Sequence, residues 1–114
     1  MSNDNDAIIL DALEKFLTAE VDPFVHDLEA RDEYPHEIVE KMKQMGLFGC
    51  IIAEEYGGLG LSTSTYAKIV TRITRSWMSL SGIINSHLIM ASAVQRHGTD
   101  AQKQHYLPRF ATGE

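Results

Sequence analysis

The sequence predicts an all-α fold, a helical bundle of about five helices, and three observations carry that prediction. Apolar residues recur at steps of three or four, the period of a helix packed on one side. Residues that start and stop helices punctuate the chain at intervals that suit helices. The one strand-like run, Ile51-Ile52, has no second run to pair with, and a lone short strand cannot make a sheet. With 114 residues the chain reads as one domain, large enough to bury a core without disulfides or metals.

In the first helix, Leu10, Leu13, Leu17, Val21, Phe24 and Leu28 make one apolar stripe. Asp4 or Asp6 can cap its start, where acidic groups suit the helix dipole. Pro23 lies within the stripe and predicts a kink or break near Asp22, because proline has no N–H to donate. A second helix begins near Pro35, carries Ile38, Met42 and Met45 on one face and stops at Gly46. There Gly46-Leu47 reads as a Schellman-type end, with Leu47 folding back onto Met42. Leu47 to Leu61 is the least regular stretch. Gly57, Gly58 and Gly60 mark a tight turn before a third helix capped by Ser62 or Thr63. That helix shows Tyr66, Ile69, Val70, Ile73 and Trp77 on one face.

A fourth helix, from about Ser79 to His97, is apolar nearly all round and is expected to be the central, most buried one. Arg96, His97 and Gly98 form its stop. Thr99-Asp100-Ala101-Gln102 is a capping box opening a short final helix to Leu107, with Pro108 ending it.

Composition excludes several function classes. The net charge is −6 and the ten Lys and Arg are scattered, so no basic stripe exists for nucleic acid. Met1 to Asp6 is polar and acidic, the reverse of a signal peptide. The longest mostly apolar stretch, Leu80 to Val94, is broken by Ser81, Asn85, Ser86, His87 and Ser92, too short and too polar to span a bilayer. A cytoplasmic location without membrane insertion is the expectation.

Candidate chemistry is sparse. Gly57-Gly58-Leu59-Gly60 precedes a helix but lacks the Lys and Ser/Thr of a phosphate loop and the third glycine of a dinucleotide fingerprint, so it reads as a turn. Glu33 and His36 have a Glu-x-x-His spacing that Pro35 spreads across a helix start, which disfavours a metal site. Glu54 and Glu55 are adjacent and read as a solvated pair rather than an acid/base pair. Cys50, the only cysteine, reads as a small buried hydrophobe. In the fourth helix, at about 100° per residue, Met78, Ser81, Asn85, Leu88 and Ser92 fall in one narrow sector. That sector either packs against polar groups or faces a cavity or ligand, and composition alone favours packing.

Several motifs, in order and at the right separations, give the chain a resemblance. They are an acidic helix interrupted by proline, Tyr34-Pro35 opening the second helix, and Gly46-Leu47-Phe48-Gly49 ending it. The glycine turn from Glu54 to Gly60 follows. The chain closes with Gly98-Thr99-Asp100-Ala101-Gln102-Lys103, Tyr106-Leu107-Pro108 and Gly113-Glu114. In these the chain resembles the N-terminal domain of the acyl-CoA dehydrogenases, over almost everything from the first helix to Glu114. It departs at Ala53, where the family often has proline, and at Thr71 to Arg75, where a Glu-Glu-x-x-Arg stretch is usual and only Arg75 is kept.

The resemblance implies a flavoenzyme that removes hydrogens from the α and β carbons of an acyl-CoA thioester, a carboxylate taking the α proton and FAD accepting a hydride. It further implies that residues 1–114 are the first of three domains, with a middle β domain and a C-terminal helical domain absent. Those two would supply the catalytic carboxylate and most FAD contacts, so no catalytic or cofactor residue is assigned here. What the resemblance does place in this chain is one wall of the acyl pocket, at Ser81, Gly82, Asn85 and Ile89, and with it the polar sector becomes pocket lining. Expected partners are the acyl-CoA substrate and the remaining domains or a companion chain, with homo-oligomers for the full-length form. Two other readings are a stand-alone helical module that docks on a partner, and a flavin oxidase or monooxygenase of the same architecture.

Overall fold

A computed structural model describes the backbone from Asn3 to Glu114 and side chains from Asp6 onward. Helix α1 (Asn3–Phe16) runs through a π-helical turn, Leu17–Val21, into α2 (Asp22–Ala30). Next come α3 (His36–Gln44), two 3-10 turns at Leu47–Gly49 and Glu54–Tyr56, α4 (Thr63–Ser76), α5 (Met78–His97) and α6 (Asp100–Ala111). With α1 and α2 counted as halves of one interrupted element, this is the expected all-α bundle of five.

The interruption has a specific cause. Pro23 has no N–H to continue the ladder, and the turn before it widens so that the Asp22 N–H reaches back to the Leu17 carbonyl. The extra residue in that turn rotates everything after it. Val25 and Leu28 therefore pack on the core, and Phe24, expected in the stripe, is half-exposed. The capping role suggested for Asp6 is also corrected. Asp6 lies inside α1, and its Oδ2 accepts a 2.6 Å hydrogen bond from the buried Thr65 hydroxyl, tying α1 to the start of α4. The side chain of Asp4 lies outside the described residues.

Other boundaries follow their signals. Pro35 caps α3, and Gly46 ends it at φ 82°, its N–H on the Lys43 carbonyl. Met42 and Leu47 are both buried in the core. Ser62 caps α4 by accepting from the Thr65 N–H, and Thr99 with Gln102 forms the complete capping box of α6.

Helix α6, however, does not stop at Leu107. It continues through Pro108 to Ala111, because its last turn is held from outside. Leu107 and Ala111 are buried, and Ala111 packs so closely that a Cβ on Gly49 would lie 2.9 Å from its Cα. The His87 ring, edge-on between Phe48 and Phe110, bonds the Phe110 carbonyl through Nε2 at 2.7 Å. Tertiary packing thus offsets the lost hydrogen bond of an interior proline.

Candidate functional site

The residues singled out in the fourth helix lie on α5, whose inner side is fixed by Leu80, Ile84, Leu88 and Ala91. Each of its fully buried Leu and Ile side chains contributes roughly 1.5–3 kcal/mol of burial, which leaves the helix no freedom to rotate. Its opposite side is therefore determined too, and the described residues leave it uncovered. Met78, Gly82, Asn85 and Ile89 are spaced by four, three and four residues and form one outward stripe. Met78 is 72% exposed and Ile89 62%, and apart from its chain neighbours and the backbone of α5 itself nothing lies within 4 Å of where a Cβ on Gly82 would stand. Helix α5 does pack centrally, against α4, α6 and the turn at Leu47–Gly49, yet although it is apolar on nearly every side it keeps one face that no described residue covers.

The polar sector divides across that boundary. Ser81 and Leu88 turn inward and are buried, while Met78 and Asn85 face out. The Ser81 hydroxyl donates to the Met78 carbonyl at 2.7 Å and accepts from Thr74 at 2.9 Å, so it is satisfied within the fold. It lies beneath the outward stripe rather than on it. Asn85 accepts a 2.8 Å hydrogen bond at Oδ1 from the Tyr66 hydroxyl of α4. Sequence reasoning assigned Tyr66 only to the packing face of its helix. The two residues are 19 apart, so no local pattern links them.

The glycine turn next to this region cannot cradle a phosphate, because its amides are already used. The N–H groups of Gly57, Gly58, Leu59 and Gly60 bond the carbonyls of Glu54, Ala53, Gly49 and Ile52. Gly58 is required by space: a Cβ there would lie 2.1 Å from the Ile52 carbonyl oxygen. The Gln95 side chain of α5 clamps the same segment, accepting from the Ala53 N–H at 2.9 Å and donating to the Ile51 carbonyl at 3.3 Å. Without free amides or an anion-binding basic set at that turn, the described residues do not by themselves fit a flavin dinucleotide.

Other candidates bring little together. Cys50 is fully buried, and desolvation pushes its thiol up to about 12, which makes it inert. Glu54 and Glu55 are both exposed. No three His, Cys, Asp or Glu side chains group as metal ligands among the described residues. An open groove of about 670 Å³ lies between α2 and α3, lined by Phe24, Leu28, Tyr34 and Ile38 among others. Its cations are paired, Arg31 with Glu33 at 3.3 Å and Lys41 with Glu20. Among the described residues it is Arg72 of α4, not Arg75, that makes an ion pair, with Glu14. No described helix is long and apolar enough to cross a membrane.

The described residues thus form an all-α bundle whose longest helix keeps one face that they do not cover. Residues 3–114 match the family model of the acyl-CoA dehydrogenase N-terminal domain, and the chain belongs to that family. It is 37% identical over 108 residues to a (2S)-methylsuccinyl-CoA dehydrogenase of Cereibacter sphaeroides, which covers 94% of this chain and 20% of that protein. It is 32% identical to a short-chain specific acyl-CoA dehydrogenase of Clostridium acetobutylicum, over 94% of this chain and 28% of the relative. The chain thus spans 20% to 28% of the length of these two relatives.

Solved structures agree on the fold. A chain from a structural study of the electron transferring flavoprotein of Acidaminococcus fermentans superposes with a TM-score of 0.88 at 25% identity, covering 99% of this chain and 30% of that one. Butyryl-CoA dehydrogenase from Megasphaera elsdenii superposes at 0.83 with 21% identity, over 95% and 29%.

Proposed function

We propose that this chain is the N-terminal helical domain of an FAD-dependent acyl-CoA dehydrogenase, and that α5 supplies one wall of its acyl pocket. The observation that carries the proposal is the outward stripe of α5. A glycine with open space above it, an amide and an isoleucine stand one turn apart on a helix locked in rotation by its buried side. Contiguous apolar surface that no described residue covers is available for binding. Gly82 gives room for an alkyl chain, Ile89 gives it apolar contact, and Asn85 lies between them. Ser81 sits beneath, where its small size lets the wall stay close to α4.

In this reading a middle β domain and a C-terminal helical domain carry the catalytic carboxylate and most contacts to FAD, and the whole enzyme is cytoplasmic and homo-oligomeric. This chain's share is to bind and orient the acyl group and to exclude water from one side of it. The test is turnover by the full-length product carrying this domain. Oxidation of an acyl-CoA with an artificial electron acceptor is the expected result, and failure with every acyl-CoA tried would sink the reading. Oxygen consumption without another acceptor would move it to an oxidase of the same architecture.

The same bare face of α5 supports a second reading, a module that docks on a companion chain. Light scattering of the isolated chain separates them: a stable monomer at all concentrations argues against an obligate docking surface.

A further inference from the structure

The hydrogen bond between Tyr66 and Asn85 has a chemical consequence for the wall on which it lies. The Tyr66 ring is packed against the core from α4, so its hydroxyl is held in place beside α5. At 2.8 Å it donates to Asn85 Oδ1. That contact engages the acceptor end of the carboxamide on an exposed residue of the outward stripe and leaves its NH2, which can only donate, for another partner. No described group accepts from Nδ2. Burial pushes the Tyr66 hydroxyl up to about 12, so it keeps its proton at neutral pH and can donate. From Met78 to Gln95 the helix has no Lys, Arg, Asp or Glu, and between Gly82 and Ile89 its exposed polar side chains are the Asn85 amide and the smaller Ser86 hydroxyl.

We infer that Asn85, oriented by Tyr66, is a specificity-determining donor for an acyl-CoA whose acyl chain carries an oxygen beyond the β carbon. The inference rests on the acyl-pocket reading proposed above and deepens it. A plain alkyl chain laid along this wall would cover the Asn85 amide and strip its water without replacing the bond, whereas an acyl oxygen would accept from it. Sites that hydrogen-bond a substrate group discriminate against the analogue lacking it, because the site's own polar group is then left unpaired. Tyr66 acts here as a positioning residue: without its hydroxyl the amide can rotate and present its acceptor instead. A neutral hydroxyl and a carboxylate are both acceptors that this donor can serve, and the choice of substrates separates them.

The experiment measures kcat/KM of the full-length enzyme for butyryl-CoA, 4-hydroxybutyryl-CoA and glutaryl-CoA, in wild type, Asn85→Leu and Tyr66→Phe. The expected result is a wild-type preference for one of the two oxygenated substrates over butyryl-CoA. Asn85→Leu should cut that preference roughly tenfold, the size of one lost hydrogen bond, chiefly through KM. Tyr66→Phe should cut it by a smaller factor in the same direction. A larger effect on glutaryl-CoA identifies a carboxylate acceptor, and a larger effect on 4-hydroxybutyryl-CoA a neutral one; either supports the inference. A wild type that prefers butyryl-CoA, or a preference ratio unmoved by both variants, overturns the inference and leaves the dehydrogenase reading standing. Inactivity toward all three overturns the inference, and inactivity toward longer acyl-CoAs as well overturns the dehydrogenase reading.

Discussion

The indole Nε1–H of Trp77 donates to Glu29 Oε1 at 2.7 Å, joining the break between α4 and α5 to the last turn of α2. Trp77 itself is extended, at φ −163°, and buried, so this one residue separates two helices and still fills the core. Removing the acceptor by Glu29→Ala should cost about 1 kcal/mol, the net value of one such bond. Trp77→Phe should cost more, roughly 2 kcal/mol, because it also leaves unfilled volume in a packed core. Trp77 is the only tryptophan, so its fluorescence follows urea unfolding of Glu29→Ala directly. An unchanged midpoint in that variant would mean the bond contributes nothing.

Two glycine-to-alanine changes should act in opposite directions. At Gly58 the new methyl would meet the Ile52 oxygen at 2.1 Å and the Gly49 oxygen at 2.6 Å, both of them backbone. Backbone cannot yield as a flexible side chain can, so Gly58→Ala should lower stability by roughly 3 kcal/mol or more, the scale of large steric defects. At Gly82 nothing stands within 4 Å, and the residue is interior to α5. Gly82→Ala should therefore raise stability by about 0.5–1 kcal/mol, from helix propensity alone. Thermal melts of the pair decide it, and a destabilised Gly82→Ala would show that another group already fills that space.

The elements that the sequence made legible are those whose signals are local. Ser62, Thr99 with Gln102, and Gly46 each satisfy backbone groups within four residues of themselves, and each does so in the structure. What stayed illegible depends on distant partners. Phe24 fits the periodic stripe until the π turn before Pro23 inserts one residue and turns it outward. Pro108 is a sound stop signal that buried Leu107 and Ala111 override. For α5 the pattern is apolar on nearly every side, and such a pattern cannot say which side lacks a neighbour. Asn85 was legible as an anomaly on that helix, whereas Tyr66, its partner from α4, was legible only as packing.

Gln95 shows how a helix can hold an irregular loop in place. Its carboxamide accepts from Ala53 and donates to Ile51, so both ends of one side chain substitute for backbone partners the loop lacks. Gln95→Leu keeps the volume but leaves a half-buried N–H and carbonyl unpaired, a cost of about 1–3 kcal/mol. Hydrogen exchange is the sharper measurement, since the Ala53 amide should be protected in the wild type and exchange fast in the variant. Equal protection in both would mean that another group takes over the bond.

Cys50 predicts how stability depends on alkaline pH. Desolvation raises its thiol from the ordinary 9.0 to about 12, so in the folded state it stays protonated well after the unfolded thiol has ionised. A raised folded pKa means that the contribution is fully present below about pH 9 and is lost as pH rises from there toward 12. The limiting slope for one group is about 1.4 kcal/mol per pH unit. Tyr66, raised from 10.0 to about 12, adds a second loss that begins roughly one unit higher. Between pH 9 and 10 the thiol is therefore the larger contributor of the two. Cys50→Ala should be less stable at neutral pH, because it leaves a small cavity, and yet should show a flatter decline over that interval. Urea midpoints measured at half-unit steps give both slopes. Parallel declines in wild type and variant would show that the buried thiol does not govern the alkaline limb.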